Sequence, residues 1–292
     1  RCFRQGLKRH ACPQEVFMPG HRITLTGEKQ TLLITLYAKA LDSRLDDSIL
    51  HDRFAEEAVR QIDFDFSRVA LGKGNERALA MRSHYFDQAC RDFLGRHPEG
   101  QVLNLGCGLD SRIYRVDPPA ELPWFDLDYP EVMDLRERLY PPRAGAYRAL
   151  RHSVDDDGWL QGVPRERPAL VLAEGLMPYL RESQVRRLVE RLVDHLGSGE
   201  LLFDGYGRLG IMLLRLYPPL RETGAQVHWS IDDPRELERW HPALRFIEEV
   251  TDYDPQDVAK LPQSSRLMLP IYNGFAFLRR MGRLIRYRWP RV

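Results

Sequence analysis

Asp110 stands inside a glycine turn, Gly106-Cys107-Gly108-Leu109-Asp110, directly after the apolar run Val102-Leu-Asn-Leu105. Glycine allows positive φ and lets a ligand approach bare backbone. A dinucleotide site asks for G-x-G-x-x-G, with N–H groups turned toward a pyrophosphate. Here Ser111 replaces the third glycine, and the Asp110 carboxylate would repel phosphate. S-adenosylmethionine has adenine and ribose but no phosphate, and it carries an α-ammonium and a sulfonium. An acid in the turn suits that positive charge, so the residues favour this cofactor over NAD(P) or FAD.

Other residues supply partners for the rest of such a ligand. Asp126 and Asp128 end the next apolar run, about twenty residues after the turn, where an acid accepts ribose hydroxyls. Asp128 is nearer the ligand edge, and Asp126 has the alternative of a structural cap. Ser153 and Val154 follow a third run, at the place of the adenine. Glu174 follows Ala169-Leu-Val-Leu-Ala173, and a carboxylate at the mouth of a buried strand needs a partner. The α-ammonium is one partner and a nearby arginine is the alternative. Arg82 shares a helical stripe with Leu79, Phe86 and Phe93, so it needs an anion. The cofactor's α-carboxylate, held bidentately, competes with an internal ion pair.

These residues need elements to position them. Helical spacing of Leu32, Leu33, Leu36, Tyr37 and Ala40, of Phe54, Ala58 and Ile62, and of Leu79, Phe86 and Phe93 predicts a helical first hundred residues. Strands are expected at 101–105, 123–127, 147–152, 169–173 and 200–204, with helices at 130–140 and 182–196. The alternation predicts an α/β fold with a mostly parallel sheet covered on both faces. After Tyr206 the rhythm changes. A helix at 209–216, a stop at Pro218-Pro219 and a Trp/His/Asp-rich loop read as a lid insertion after strand five. Strand-like stretches follow at 245–253 and 274–284. The expected division is an N-terminal arm at 1–25, then one domain at 26–292. That domain comprises a helical cap (26–97), a cofactor-binding core (98–206), a substrate lid (207–242) and C-terminal strands (243–292).

Composition excludes several classes. With 43% hydrophobic and 29% charged residues the chain is an ordinary globular one, and its net charge of +1 provides no field to recruit nucleic acid or membrane. No apolar run is long enough to span a bilayer. The four cysteines form no CxxC pair and no metal spacing, which predicts no metal and a reduced, cytoplasmic protein. The arginine-rich segment Arg279–Val292 is expected to be a solvated face.

Together, Asn104-Leu-Gly-Cys-Gly-Leu-Asp-Ser-Arg112, Trp124-Phe-Asp-Leu-Asp-Tyr-Pro-Glu-Val132, Ala173-Glu-Gly-Leu-Met-Pro-Tyr-Leu180 and Met81-Arg-Ser-His-Tyr-Phe86 resemble the leucine carboxyl methyltransferase family. The likeness covers about residues 26–206. The lid pieces Thr223-Gly-Ala225, His228-Trp229 and Asp232-Asp-Pro-Arg-Glu-Leu237 resemble only its bacterial polyketide branch. The resemblance implies a class I, Rossmann-like methyltransferase fold with a seven-stranded sheet. It implies S-adenosylmethionine contacts at Arg82, Gly106, Asp128, Ser153, Val154 and Glu174, and an early-helix lysine that corresponds to Lys39.

Methyl transfer from a sulfonium is an in-line displacement that relies on positioning and exclusion of water. A carboxylate acceptor is ionised at neutral pH and needs no base, whereas a phenol benefits from one. Tyr179, Tyr206, His228 and His84 are the candidates for orienting or deprotonating an acceptor, and none is assigned a catalytic role. The expected activity is O-methylation of a carboxylate or phenol on a small aromatic or polyketide-like metabolite. The alternatives are methyl esterification of a protein C-terminus, a non-catalytic binding module, and a nicotinamide oxidoreductase.

Overall fold

Parallel strands bring the predicted residues to one edge. The computed structural model describes His21–Arg22, Leu25, Gly27–Val69 and Leu71–Pro290. The expected N-terminal arm falls almost wholly outside these residues, as do Cys2 and Cys12. Strands β1 (Gln101–Leu105), β2 (Trp124–Asp128), β3 (Tyr147–Arg151), β4 (Ala169–Ala173) and β5 (Gly199–Gly205) lie within two residues of their expected bounds. They are joined by β6 (Arg245–Val250) and β7 (Arg283–Trp289) in one seven-stranded sheet. Its order is β3-β2-β1-β4-β5-β7-β6, with β7 antiparallel to both neighbours. The order reverses beside β1, which makes the carboxyl ends of β1 and β4 the place for a ligand.

Helices α1 (Leu32–Ser43), α2 (Arg53–Gln61) and α3 (Asn75–Arg96) are the helices expected in the first hundred residues. Asp52 starts α2 by accepting the Ala55 N–H at 3.0 Å. On one face of the sheet, Phe86 and Phe93 of α3 pack on Val102, Leu170, Leu172 and Leu202. The short α4 (Arg112–Val116) and then α5 (Pro130–Leu139) follow β1 and β2. On the opposite face, Val185, Leu188 and Leu192 of α6 (Glu182–His195) pack on Leu103, Val171 and Leu201. Both faces of the central strands are apolar, so β1 and β4 are buried along their whole length.

The expected elements that failed lie after β5. Helix α7 (Arg208–Leu216) is as expected, but Pro218-Pro219 opens a second helix, α8 (Pro218–Thr223), instead of a loop. Proline fits the first helical turn because its missing N–H has no partner there. The short α9 (Pro255–Ala259) precedes α10 (Gln263–Gly274), which carries Pro270 inside it, and α11 (Ala276–Arg279) follows. The predicted strand at 274–284 is instead helix at Gly274 and Ala276–Arg279 and turn after that, and the true strand begins at Arg283. The arginine run is only in part a solvated face: Arg279, Arg280 and Arg288 are exposed, while Arg283 is buried and Arg286 half-buried. In β7, Leu284, Ile285, Tyr287 and Trp289 are buried. Arg286 on the same strand bonds Glu200 of β5, with Nε at 2.9 Å from Oε2. The period-two alternation of apolar residues outweighs the charge run.

Candidate active site

A cleft of about 920 Å³ opens at the carboxyl ends of the parallel strands. All the cofactor residues expected from sequence line it: Arg82, Gly106, Gly108, Asp110, Asp128, Ser153, Val154 and Glu174. So do Tyr179, Tyr206, His228 and Lys39. His84 is not among the lining residues. It faces α9, with Nδ1 2.5 Å from Asp257 Oδ2.

The glycine turn is built as its residue types require. Gly106 and Gly108 have φ of +59° and +50°. The Gly108 N–H donates to Asp128 Oδ2 at 2.7 Å, and the Tyr129 N–H donates to Oδ1 at 2.7 Å. Asp128 thus ties the turn to the end of β2 and keeps further lone pairs for the cleft. Burial raises its pKa, although these two N–H groups and Arg136 oppose the shift. Asp126 takes the structural alternative. It is buried, accepts from Asn104 Nδ2 at 3.1 Å and Trp124 Nε1 at 2.9 Å, and pairs with Arg136 at 2.6 Å. Beyond β3, the Val154 carbonyl accepts from Trp159 Nε1 and from Arg191 Nη1, each at 3.3 Å, which pins the loop after the strand.

Between the turn and α3 lies a web of buried ion pairs. Asp110 contacts Lys39 Nζ, Arg112 Nη1 and Arg115 Nη1, each at 2.9 Å. Burial works against its charge, but Arg112, Arg115 and Lys39 outweigh it and hold the pKa well below the usual carboxylate value. The charge argument from sequence treated Asp110 as an unpaired acid, and in the structure three cations already neutralise it. Glu174 accepts from Arg82 Nε at 3.1 Å, from Ser83 Oγ at 2.7 Å and from Arg112 Nη2, and Lys39 lies 4.0 Å away. Burial opposes its ionisation, yet Lys39, Arg82 and Arg112 hold its pKa at about 2. Arg82 therefore has internal anions, Glu174 and also Asp204, whose Oδ2 is 3.0 Å from Nη1.

Asp204, Arg112 and Tyr253 were not found by reading the sequence. A signal existed for Asp204: it ends an apolar strand, as Glu174 does, and the desolvation argument applies to both. Arg112 follows the turn by a few residues but is fully buried, which arginine seldom is without several partners. Tyr253 comes from the coil after β6 and gave no local sign.

Farther out, Tyr179, Tyr206, Tyr217 and Tyr253 line the cleft beside Leu214, Leu220 and Val227. The Tyr206 hydroxyl donates to Asp204 Oδ2 at 3.3 Å, and Asn75 Nδ2 donates to the Tyr217 hydroxyl at 3.0 Å. Burial raises the pKa of all four tyrosines, that of Tyr253 to about 12. At neutral pH they are hydrogen-bond donors and not bases. The His228 side chain is exposed at the rim, and its backbone N–H donates to the Pro178 carbonyl at 2.7 Å.

The profile of the leucine carboxyl methyltransferase family matches residues 32–193. The chain belongs to the leucine carboxyl methyltransferase family. It is an enzyme, and its methyl donor is S-adenosylmethionine. It is 42% identical over 268 residues to the tetracenomycin polyketide synthesis O-methyltransferase TcmP of Streptomyces glaucescens, covering 92% of this chain and 99% of that one. It is 36% identical over 249 residues to the S-adenosyl-L-methionine-dependent methyltransferase dpfgK of Gibberella zeae, covering 78% and 84%. A crystal structure of a methyltransferase-fold protein from Thermobifida fusca superposes with a TM-score of 0.54 at 19% identity, covering 87% and 94%. That likeness shows the fold, a class I methyltransferase fold. Among the described residues no helix is long and apolar enough to cross a membrane.

Proposed function

We propose that this enzyme methylates a carboxylate oxygen of a small aromatic or polyketide-like metabolite in the cytoplasm. The observation that carries the reading is the outer end of the cleft. Its walls are apolar, from Leu79, Leu214, Leu220 and Val227, and its polar groups include donors: the hydroxyls of Tyr179 and Tyr217 and the amide N–H groups of Asn75 and Gln226. Donors of this kind suit an anion that is already ionised. A phenol would need a base; of the four candidates His84 lies away from the cleft, Tyr179 and Tyr206 are held protonated by burial, and His228 stands exposed at the rim. The O-methyltransferase named for tetracenomycin polyketide synthesis, which this chain matches along nearly its whole length, supports the same acceptor class.

The inner end fits the methyl donor. Bound there, S-adenosylmethionine supplies an electrophilic methyl on a cationic sulfur. Asp128 offers acceptor lone pairs to the ribose hydroxyls, and Val154 with Ser153 flanks the adenine. Arg82 and Lys39 hold the α-carboxylate, and Glu174 takes the α-ammonium. Asp110 fixes Lys39 and adds its negative field to that end. Tyr206 and Tyr179 orient the acceptor carboxylate, and residues 207–242 serve as the lid that keeps water out.

The lid also bears on the protein-terminus alternative. Asn75 reaches Tyr217 across the mouth, and α8 packs on the turn at Gly27–Thr31. This closure favours a small acceptor over a chain end. The test is transfer of labelled methyl to a panel of aromatic acids and matched phenols. Base-labile label on the acids is expected. Label found only in base-stable ethers, or on protein, would overturn the reading.

A further inference from the structure

The charges of the buried web do not cancel where they face the cleft. Arg112 and Arg115 lie behind the wall with Asp87 and Asp52, two cations against two carboxylates. On the wall itself stand Lys39 and Arg82 against Asp110, Glu174 and Asp204. One carboxylate is in surplus there. The remaining lining cations are turned to partners outside the web, Lys29 to Glu131 and Arg283 to Glu249, or exposed, as is Arg181. Asp128, among the described residues bonded only to backbone N–H groups, adds negative charge at the ribose end.

Asp204 is the surplus group. Asp110 has three cations within 2.9 Å. Glu174 bonds Arg82 and Arg112 and has Lys39 at 4.0 Å. Asp204 has only Arg82, which it shares with Glu174. Its other bonds are to neutral groups: the Gly175 N–H at 2.6 Å and the Tyr206 hydroxyl at 3.3 Å. Its side chain is 3% exposed, so solvent gives it little help. Burial accordingly raises its pKa, whereas those of Asp110 and Glu174 are lowered.

We propose that Asp204 is a positioning and selectivity residue by which the site distinguishes the charged methyl donor from its spent product. S-adenosylmethionine carries a sulfonium, an ammonium and a carboxylate, one positive charge in sum. On transfer, an acceptor lone pair forms the O–CH3 bond as the S–CH3 bond breaks, and the bonding pair stays on sulfur. The sulfonium becomes a neutral thioether, and S-adenosylhomocysteine has no net charge. The surplus carboxylate is compensated by the donor and left uncompensated by the product, which favours exchange of one for the other. The same field stabilises the sulfonium before transfer, so Asp204 favours turnover of ligands at some cost to the chemical step. The proposal rests on the methyl donor alone and is independent of the acceptor.

Titration calorimetry on Asp204→Asn tests it without turnover. The preference for S-adenosylmethionine over S-adenosylhomocysteine should shrink about tenfold relative to the wild type, the order expected for one charge pair at a partly screened separation. The loss should fall on the methyl donor. If both affinities drop by the same factor, Asp204 only props up Arg82 and the Gly175 turn, and the proposal is wrong. A second measurement needs no variant. An S-adenosylhomocysteine analogue with a protonated amine in place of the methylsulfonium should bind the wild type several-fold more tightly than S-adenosylhomocysteine. Equal affinities would overturn the idea.

Discussion

The two ends of the cleft are held by different forces. The donor end sits on strand termini and is fixed by buried charge: Arg112 alone bonds Asp87, Asn104 and Glu174. The acceptor end sits on short helices held mainly by apolar contacts among Ile211, Leu220, Val227 and their tyrosine neighbours. The outer face of α7 leaves Met212, Leu213 and Leu216 exposed. A charge web is specific and unforgiving, because removing one member strands the others in low dielectric. Apolar helix packing tolerates replacement of similar volume. On the proposed assignment, the rigid half of the cleft holds the methyl donor and the adaptable half holds the acceptor.

Substitutions can break or sharpen this contrast. The largest effect is expected for Arg112→Leu, which takes one buried cation from each of Asp87, Asp110 and Glu174. It should cost about 3–5 kcal/mol of stability, read from urea unfolding. Next, Glu174→Gln should weaken S-adenosylmethionine binding by about 1.5–3 kcal/mol in calorimetry. An unchanged dissociation constant would make Glu174 purely structural. The same variant tests pH dependence. Glu174 has a folded pKa of about 2 against an ordinary 4.5. Its contribution to stability is complete above about pH 4.5 and is lost as pH falls toward about 2. The stability gap between wild type and Glu174→Gln should therefore narrow over that window.

At the acceptor end, Gly210→Ala would place a methyl 1.8 Å from the Met281 carbonyl oxygen and push α7 off its seat. A cost of about 1–3 kcal/mol is expected, with a raised acceptor KM and an unmoved donor affinity. A loss of donor binding would show that the two ends are coupled. Tyr206→Phe removes one hydroxyl and should raise the acceptor KM by the equivalent of about 0.5–1.5 kcal/mol. The smallest effect belongs to Leu213→Ser on the exposed face of α7, within about 0.5 kcal/mol in thermal unfolding.

The same division governs what could be read from the sequence. The strands through β5 and the residues at their ends were legible, because a buried parallel strand is mostly apolar and its end is marked by polar or glycine residues. Glu174 follows an unbroken apolar run, while β1 and β2 carry Asn104 and Asp126 inside and are marked by the glycine turn and by Asp128 at their ends. The partners of those residues were less legible. An ion web is assembled from α1, α3, α4 and β5, and local spacing does not report which distant charges meet. Asp110 was therefore read as free when Lys39, Arg112 and Arg115 enclose it. Beyond Tyr206, the Arg283–Trp289 strand was hidden by its own arginines. Their long side chains reach Glu200, Glu248 and Glu249, carboxylates that lie far upstream.

The placement of β7 has a consequence for synthesis. It inserts between β5 and β6, and Leu284 pairs in register with Asp204 itself. While a ribosome is still making residues 207–242, β5 has no outer neighbour and exposes a row of unsatisfied backbone groups. A nascent chain paused there presents a sticky half-sheet to its surroundings. The cleft wall at Asp204 is thus finished only after the eighty or so residues that follow β5 have emerged, and protection from aggregation matures at the same moment as that wall.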